Sequence, residues 1–194
     1  MMLLLPLFVR WGISGTLSSG DWGYRFVELS SSMNPWVVSW STYFGNGLGG
    51  GKMILAPLDT WYIITARIAS NMSLPLDFTE RIVLFIPLII VACFSSIRLT
   101  HSIVRARFSF LGILYVINTH FIMVLSGGQM GAIWAIAIAP LVIHLSTHLV
   151  DLLRRESIKL VRTSCLVGIT GAIQLMFDAR IFYVTVMVIL PYIV

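Results

Sequence analysis

The sequence predicts an all-α fold, a polytopic transmembrane bundle of about five or six spans with one long non-cytoplasmic loop that contains a surface-lying helix. Three observations predict it. The first is composition: 58% of the 194 residues are hydrophobic and only 11% are charged, against about 25% charged in an ordinary soluble domain. The second is a charge-free run. Residues 108–150 contain no Asp, Glu, Lys or Arg, and a helix of that length would reach about 64 Å, roughly two bilayer cores. The third is the placing of basic residues in two short connections between apolar segments, Arg98, Arg105 and Arg107 in one and Arg154, Arg155, Lys159 and Arg162 in the other.

Taken in order, residues 1–19 form an uncertain first apolar segment, because Arg10 interrupts it and a cation at mid-membrane must snorkel or face other helices. The span from 82 to 98 is followed by a connection bearing Arg98, Arg105 and Arg107. Spans at 108–125 and 129–150 are joined at Ser126-Gly127-Gly128-Gln129, where glycine lets the chain reverse at little steric cost. A second basic connection carries Arg154, Arg155, Lys159 and Arg162. Spans at 161–177 and 181–194 complete the set, joined at Phe177-Asp178-Ala179-Arg180. The positive-inside rule puts both arginine connections in the cytoplasm. Residues 20–81, the 126–129 turn and the 177–180 turn then lie outside.

The outer loop is too long for a simple connector. Trp22, Tyr24, Trp36, Trp40, Tyr43, Trp61 and Tyr62 suit the headgroup region, where an amphipathic ring has both of its needs met. Asp59 is placed to cap a helix from Thr60 to about Ser70, with Trp61, Ile64 and Ile68 on its apolar face. Asn71-Met72-Ser73 matches a glycosylation acceptor, a triplet that is also common by chance. The chain reads as one transmembrane domain over 1–194. Since only 14 residues follow Arg180, about 21 Å of helix, it also reads as the N-terminal module of something longer.

In the span at 129–150, Gly131, Ala135 and Ala139 continue a four-residue stripe that starts at Gly127, which predicts a close helix–helix seam. Pro140 beyond it should kink the helix and release a carbonyl. Asn118 and His120 are expected to turn inward, because unsatisfied polar groups are costly in hydrocarbon. His144 and His148 lie one helical turn apart but have no third ligand, so hydrogen bonding is their ordinary role and no metal is assigned. Cys93 and Cys165 sit in separate apolar segments and read as free thiols. The net charge of +5 reflects the arginine turns and not a nucleic-acid surface.

Gly45-Asn46-Gly47-Leu48-Gly49-Gly50-Gly51-Lys52 invites a phosphate-loop reading, but the spacing fails. Asn46 stands where the first glycine should be, and Met53 replaces the hydroxyl that would reach magnesium. A hinge over an outer cavity fits better, with Lys52 and the loop amides within reach of a lipid phosphate. Asp21 lies where the first segment meets the loop, beside Trp22 and near Arg25 and Glu28. A carboxylate there can serve as general base or take a divalent metal; equally it can be a structural charge. Asp178 with Arg180, on the same predicted side, is a second acidic candidate, its alternative being a pair of solvated loop charges.

Gly20-Asp21-Trp22 at the end of the first segment, a long aromatic and glycine-rich loop, Leu114-Tyr115-Val116-Ile117-Asn118, Gly128-Gln129 and Ala137-Ile138-Ala139-Pro140-Leu141 occur in that order. The chain thereby resembles the N-terminal part of GT-C superfamily polytopic glycosyltransferases, particularly the arabinofuranosyltransferase-like members. It departs from them at Thr119, where the family commonly has proline. The resemblance implies inverting transfer of a sugar from a polyprenyl-phosphate donor at the outer face of the cell membrane, with Asp21 as base. Family members are usually longer, with more helices and often a soluble C-terminal domain. Arg25 and Lys52 are the candidates to hold the donor phosphate. The alternative is a non-catalytic membrane subunit packing within a larger complex through the Gly127 to Ala139 stripe. A transporter reading is weaker, since no span carries a row of ionisable groups.

Overall fold

The computed structural model describes residues 56–104, 110–126, 129–154 and 159–193. Every element among the described residues is helical. In chain order they are α1 (Ala56–Asn71), α2 (Leu76–Glu80), a π-helical turn (Arg81–Phe85), α3 (Ile86–Val104), α4 (Phe110–Val116), α5 (Thr119–Ser126), α6 (Met130–Leu153), α7 (Leu160–Phe177) and α8 (Ala179–Ile193). Three helical runs are long and apolar enough to cross a membrane: Asp77–Ile103, Met130–Leu153 and Leu160–Phe177. Gly112–Leu125, which holds parts of α4 and α5, and Ala179–Tyr192 are shorter apolar runs. The first segment, residues 1–19, and the outer loop up to residue 55 lie outside the described residues.

The chain divides into two compact units, one of Met1–Pro87 with Ser126–Gly128, the other of Leu88–Leu125 with Gln129–Val194. In the first unit α1 packs on α2 across a tight reversal. The amide of Leu74 donates to Ala69 O at 2.9 Å and that of Ser73 to Ser70 O at 3.2 Å. Ser73 takes the left-handed conformation, φ 53°, that usually calls for glycine at a helix end. Pro75 then prevents α1 from continuing. One expectation fails here. Asp59 lies inside α1 and not at its cap, because Ala56 and Pro57 already have helical backbone. Ile63, Thr65, Ala66 and Ala69 are buried, while Trp61, Ile64 and Ile68 form a separate, exposed apolar face.

The predicted span from 82 to 98 belongs to a longer run. Helical backbone is unbroken from Leu76 through the π-helical turn into α3, with the Ile86 amide donating to Arg81 O. Asp77, Glu80 and Arg81 ended the apolar run in the sequence, but the two acids favour a helix start.

In the second unit α6 is the centre: residues 130–138 are all buried, and α6 packs on α7 and α8, which pack on each other. Gly131 and Ala135 of the expected seam are buried and Ala139 is half-buried; Gly127 is outside the described residues. On α3, Leu88, Ala92, Ser95 and Ser96 form the buried stripe. Ser96 Oγ donates to Gly112 O at 2.9 Å, and a Cβ at Gly112 would lie 2.9 Å from the Ile97 backbone nitrogen. Only a missing side chain lets α3 and α4 approach this closely. The predicted span over 108–125 is not one helix, since α4 ends at Val116 and α5 starts at Thr119.

Candidate functional site

Polar side chains in the second unit gather on three consecutive carbonyls of α6. Gln174 Nε2 of α7 donates to Ala135 O at 3.1 Å, Tyr115 Oη of α4 to Ile136 O at 2.8 Å and Ser95 Oγ of α3 to Ala137 O at 2.5 Å. The cause lies four residues on. Pro140 has no N–H, so the Ile136 carbonyl loses its intrahelical donor. Tyr115 supplies the replacement. Gln174 Nε2 also reaches Thr185 Oγ1 of α8 at 2.8 Å, tying a fourth helix to the same level.

The first unit repeats the device. Pro87 cannot donate to Val83 O, and Trp61 Nε1 does so at 3.3 Å. Pro87 and Pro140 thus each leave one carbonyl that accepts a hydrogen bond from an aromatic side chain of another helix. The sequence reading foresaw a released carbonyl at Pro140 but named neither donor; the positions of the two prolines were the available signal.

The break between α4 and α5 is made by Asn118. Its Oδ1 accepts the Phe121 amide at 2.8 Å, the geometry of a helix N-cap, and its Nδ2 donates back to Tyr115 O. Asn118 is half-buried, as a cap serving its own helix. His120 departs from expectation: it is exposed and does not turn inward, because the new helix start rotates it to the outer face.

Asp178 is the single non-helical residue between α7 and α8. Its Oδ1 accepts the amides of Arg180 at 2.9 Å and Ile181 at 3.3 Å, capping α8. Arg180 closes a fork on the same carboxylate, Nε to Oδ1 at 3.2 Å and Nη2 to Oδ2 at 2.7 Å. Burial pushes the Asp178 carboxyl up, but the Arg180 side chain, the two amides and the guanidinium charge outweigh it and hold the group below its ordinary value. The Arg180 side chain remains 80% exposed. Beneath this corner Trp134 and Phe177 stack with ring centroids 5.5 Å apart.

Two ionisable residues of the first unit went unnoticed in the sequence. Glu80 is 1% exposed and Arg81 9%, at the junction of α2 and the π-helical turn. Arg81 Nη1 donates to Asp77 O at 2.5 Å and lies 3.6 Å from Asp77 Oδ2. Buried ionisable groups flanking an apolar helix are expensive and belong to sites more often than to scaffolds. The signal was Asp77 and Glu80 in the first turns after Pro75. Asp21, Arg25 and Lys52 lie outside the described residues. Among the described residues no three His, Cys, Asp or Glu side chains are grouped to hold a metal. No protein-family model, curated protein or solved structure matches the chain.

Proposed function

We propose that the chain is a multi-pass protein of the cell membrane, with about five or six crossings, that acts as a GT-C-like glycosyltransferase or its N-terminal module. It moves a sugar from a polyprenyl-phosphate donor to an acceptor at the outer face. The observation that carries this reading is where the family-like segments fall. Asn118 caps α5, Gln129 precedes α6, and Pro140 opens the carbonyl that Tyr115 meets. All three resemble the family where geometry is demanding. The departure at Thr119 is mild, since that residue is the first of α5, the position where proline and other residues are both accepted.

In this reading Asp21 takes the proton of the acceptor hydroxyl as its oxygen attacks the anomeric carbon. The bond from that carbon to the donor phosphate oxygen breaks, the electron pair leaves with the phosphate, and configuration inverts. Arg25 and Lys52 offset the charge that develops there. Asp21→Asn should abolish transfer from a lipid-linked sugar while the variant still folds and enters membranes. Unchanged turnover in that variant would remove Asp21 from the chemistry.

The second reading is a non-catalytic subunit of a larger membrane complex. Ser95, Tyr115, Asn118, Gln174 and Asp178 all serve helix ends or helix contacts, which favours scaffolding in the second unit. Obligate co-purification with another chain supports it; a stable monomer that retains polyprenyl phosphate opposes it.

A further inference from the structure

We infer that Arg98 of α3 is a docking point, inside the bilayer, for a transmembrane helix of a different chain that carries an Asp or Glu carboxylate; the inference rests on the proposed membrane embedding and on none of the sugar-transfer chemistry. Depth comes from hydrogen bonds within the second unit. Ser95 of α3 donates to Ala137 O of α6, and Arg98 stands three residues further along, about 4.5 Å, so the crossing angle of the two helices hardly alters its level. That level is close to Pro140. The middle of α6 (Met130–Leu153) falls at Leu141 and Val142, about 2 Å away. Helix α7 agrees independently: Gln174 meets Ala135 O, and counting back to the middle of Leu160–Phe177 reaches the same level of α6. Arg98 therefore stands level with the middle of both helices, which in the proposed embedding is about 15 Å from either headgroup layer.

The guanidinium does not snorkel toward the arginine-bearing end. It lies 5.1 Å over the Phe94 ring, one turn earlier and so nearer the opposite end, following the backward lean of helical side chains. Ile90, Phe94 and Arg98 are all exposed and recur every four residues, an apolar ridge that ends in one cation. Among the described residues Arg98 makes no hydrogen bond or ion pair. The chain holds no Asp or Glu between Glu80 and Asp151. Glu80 stands about 27 Å away along the same helical run, and Asp151 about 16 Å beyond the level of Arg98 on α6. A cation in hydrocarbon is costly until it is paired, so the ridge is complementary to a helix bearing one carboxylate at the same depth. A second copy of the chain would bring a second arginine to that depth and no acid.

The full chain, carrying a donor fluorophore, is placed in phosphatidylcholine vesicles with acceptor-labelled transmembrane peptides of leucine and alanine, each about 23 residues long, that differ only at the central residue: Leu, Asp or Lys. Energy transfer reads association. The Asp peptide should bind about tenfold more tightly than the Leu peptide, and the Lys peptide no better than Leu. Arg98→Leu should remove the preference for Asp and raise the melting midpoint of the chain without peptide, since it deletes an unpaired cation from hydrocarbon. Arg98→Asp should reverse the preference toward the Lys peptide. Arg162→Gln, near the end of α7, should change neither reading. Four outcomes overturn the site: equal binding of the Asp and Leu peptides, the same loss in Arg162→Gln, a lower midpoint in Arg98→Leu, or an Asp preference that vanishes when phosphatidylglycerol is added, which would make a lipid phosphate the partner. Failure of the chain to insert into vesicles overturns the embedding and this site with it. Asp21→Asn should keep the wild-type peptide preference whatever becomes of sugar transfer, which separates the two proposals.

Discussion

At the scale of single residues, the molecule's interior polar chemistry concerns carbonyls more than ions. Tyr115 matters because Pro140 exists. Tyr115→Phe keeps the ring and removes only the hydroxyl, leaving Ile136 O without a donor, and should cost about 1–2 kcal/mol of stability in detergent unfolding. In a Pro140→Ala background the restored N–H can serve that carbonyl, so the same substitution should cost much less. Equal costs in both backgrounds would break the link between the two residues. Asp178 makes a second prediction. Its folded value lies below that of the unfolded chain, so its contribution is present above the ordinary aspartate value of about 3.9 and fades as pH falls through the lowered folded value. Melting midpoints of the wild type should therefore drop over that acid range more than those of Asp178→Asn, whose cap no longer titrates. Parallel acid profiles would show that the cap carries no charge-dependent stability.

At the scale of elements, the contrast between two glycines is a test of where helices touch. A Cβ at Gly112 would fall 2.5 Å from Ile97 Cγ1 and 2.9 Å from the Ile97 backbone nitrogen, whereas one at Gly168 would meet nothing within 4 Å. A side chain can rotate away but a backbone cannot. Gly112→Ala should therefore force α3 and α4 apart, stretch the Ser96 to Gly112 hydrogen bond and cost about 1–3 kcal/mol. Gly168→Ala should be neutral or stabilising by up to about 1 kcal/mol, from helix propensity alone. The Gly131, Ala135 stripe was legible because its four-residue spacing lies within one helix. Gly112 was not, because a crossing point depends on the register of a partner that composition does not reveal. The ends of α7 were likewise readable, from the basic residues before it and Asp178 after it. The break at Asn118 was hidden, since apolar residues continue on both sides of it and only the cap hydrogen bond distinguishes two helices from one. Of the candidate site, the released carbonyl at Pro140 was visible in the sequence, but its donor was not: Tyr115 is adjacent to it only after α4 has packed on α6.

At the scale of the whole molecule, the proposed embedding makes a demand that no single helix can meet alone. If α4 with α5, then α6, then α7 each cross, the connections 105–109 and 154–159 share one face of the membrane, and the turns at Gln129 and Asp178 share the other. If the helical run from Leu76 to Val104 crosses as well, the proposed embedding puts Met72 on the same side of the membrane as the second group. Charge supports this assignment, because Arg105, Arg107, Arg154, Arg155, Lys159 and Arg162 then lie together on the face that retains cations. After Cys93 and Cys165 are replaced by serine, Met72→Cys and Gln129→Cys should react with a membrane-impermeant maleimide on intact cells. Arg154→Cys should react only after the membrane is opened, since a charged reagent cannot cross hydrocarbon. Labelling of Met72→Cys and Arg154→Cys from the same side would mean that the apolar runs between them do not cross an odd number of times. The outer-face chemistry proposed for Asp21 and the intramembrane pairing proposed at Arg98 would then lose their common frame, whatever the local hydrogen bonds hold in place.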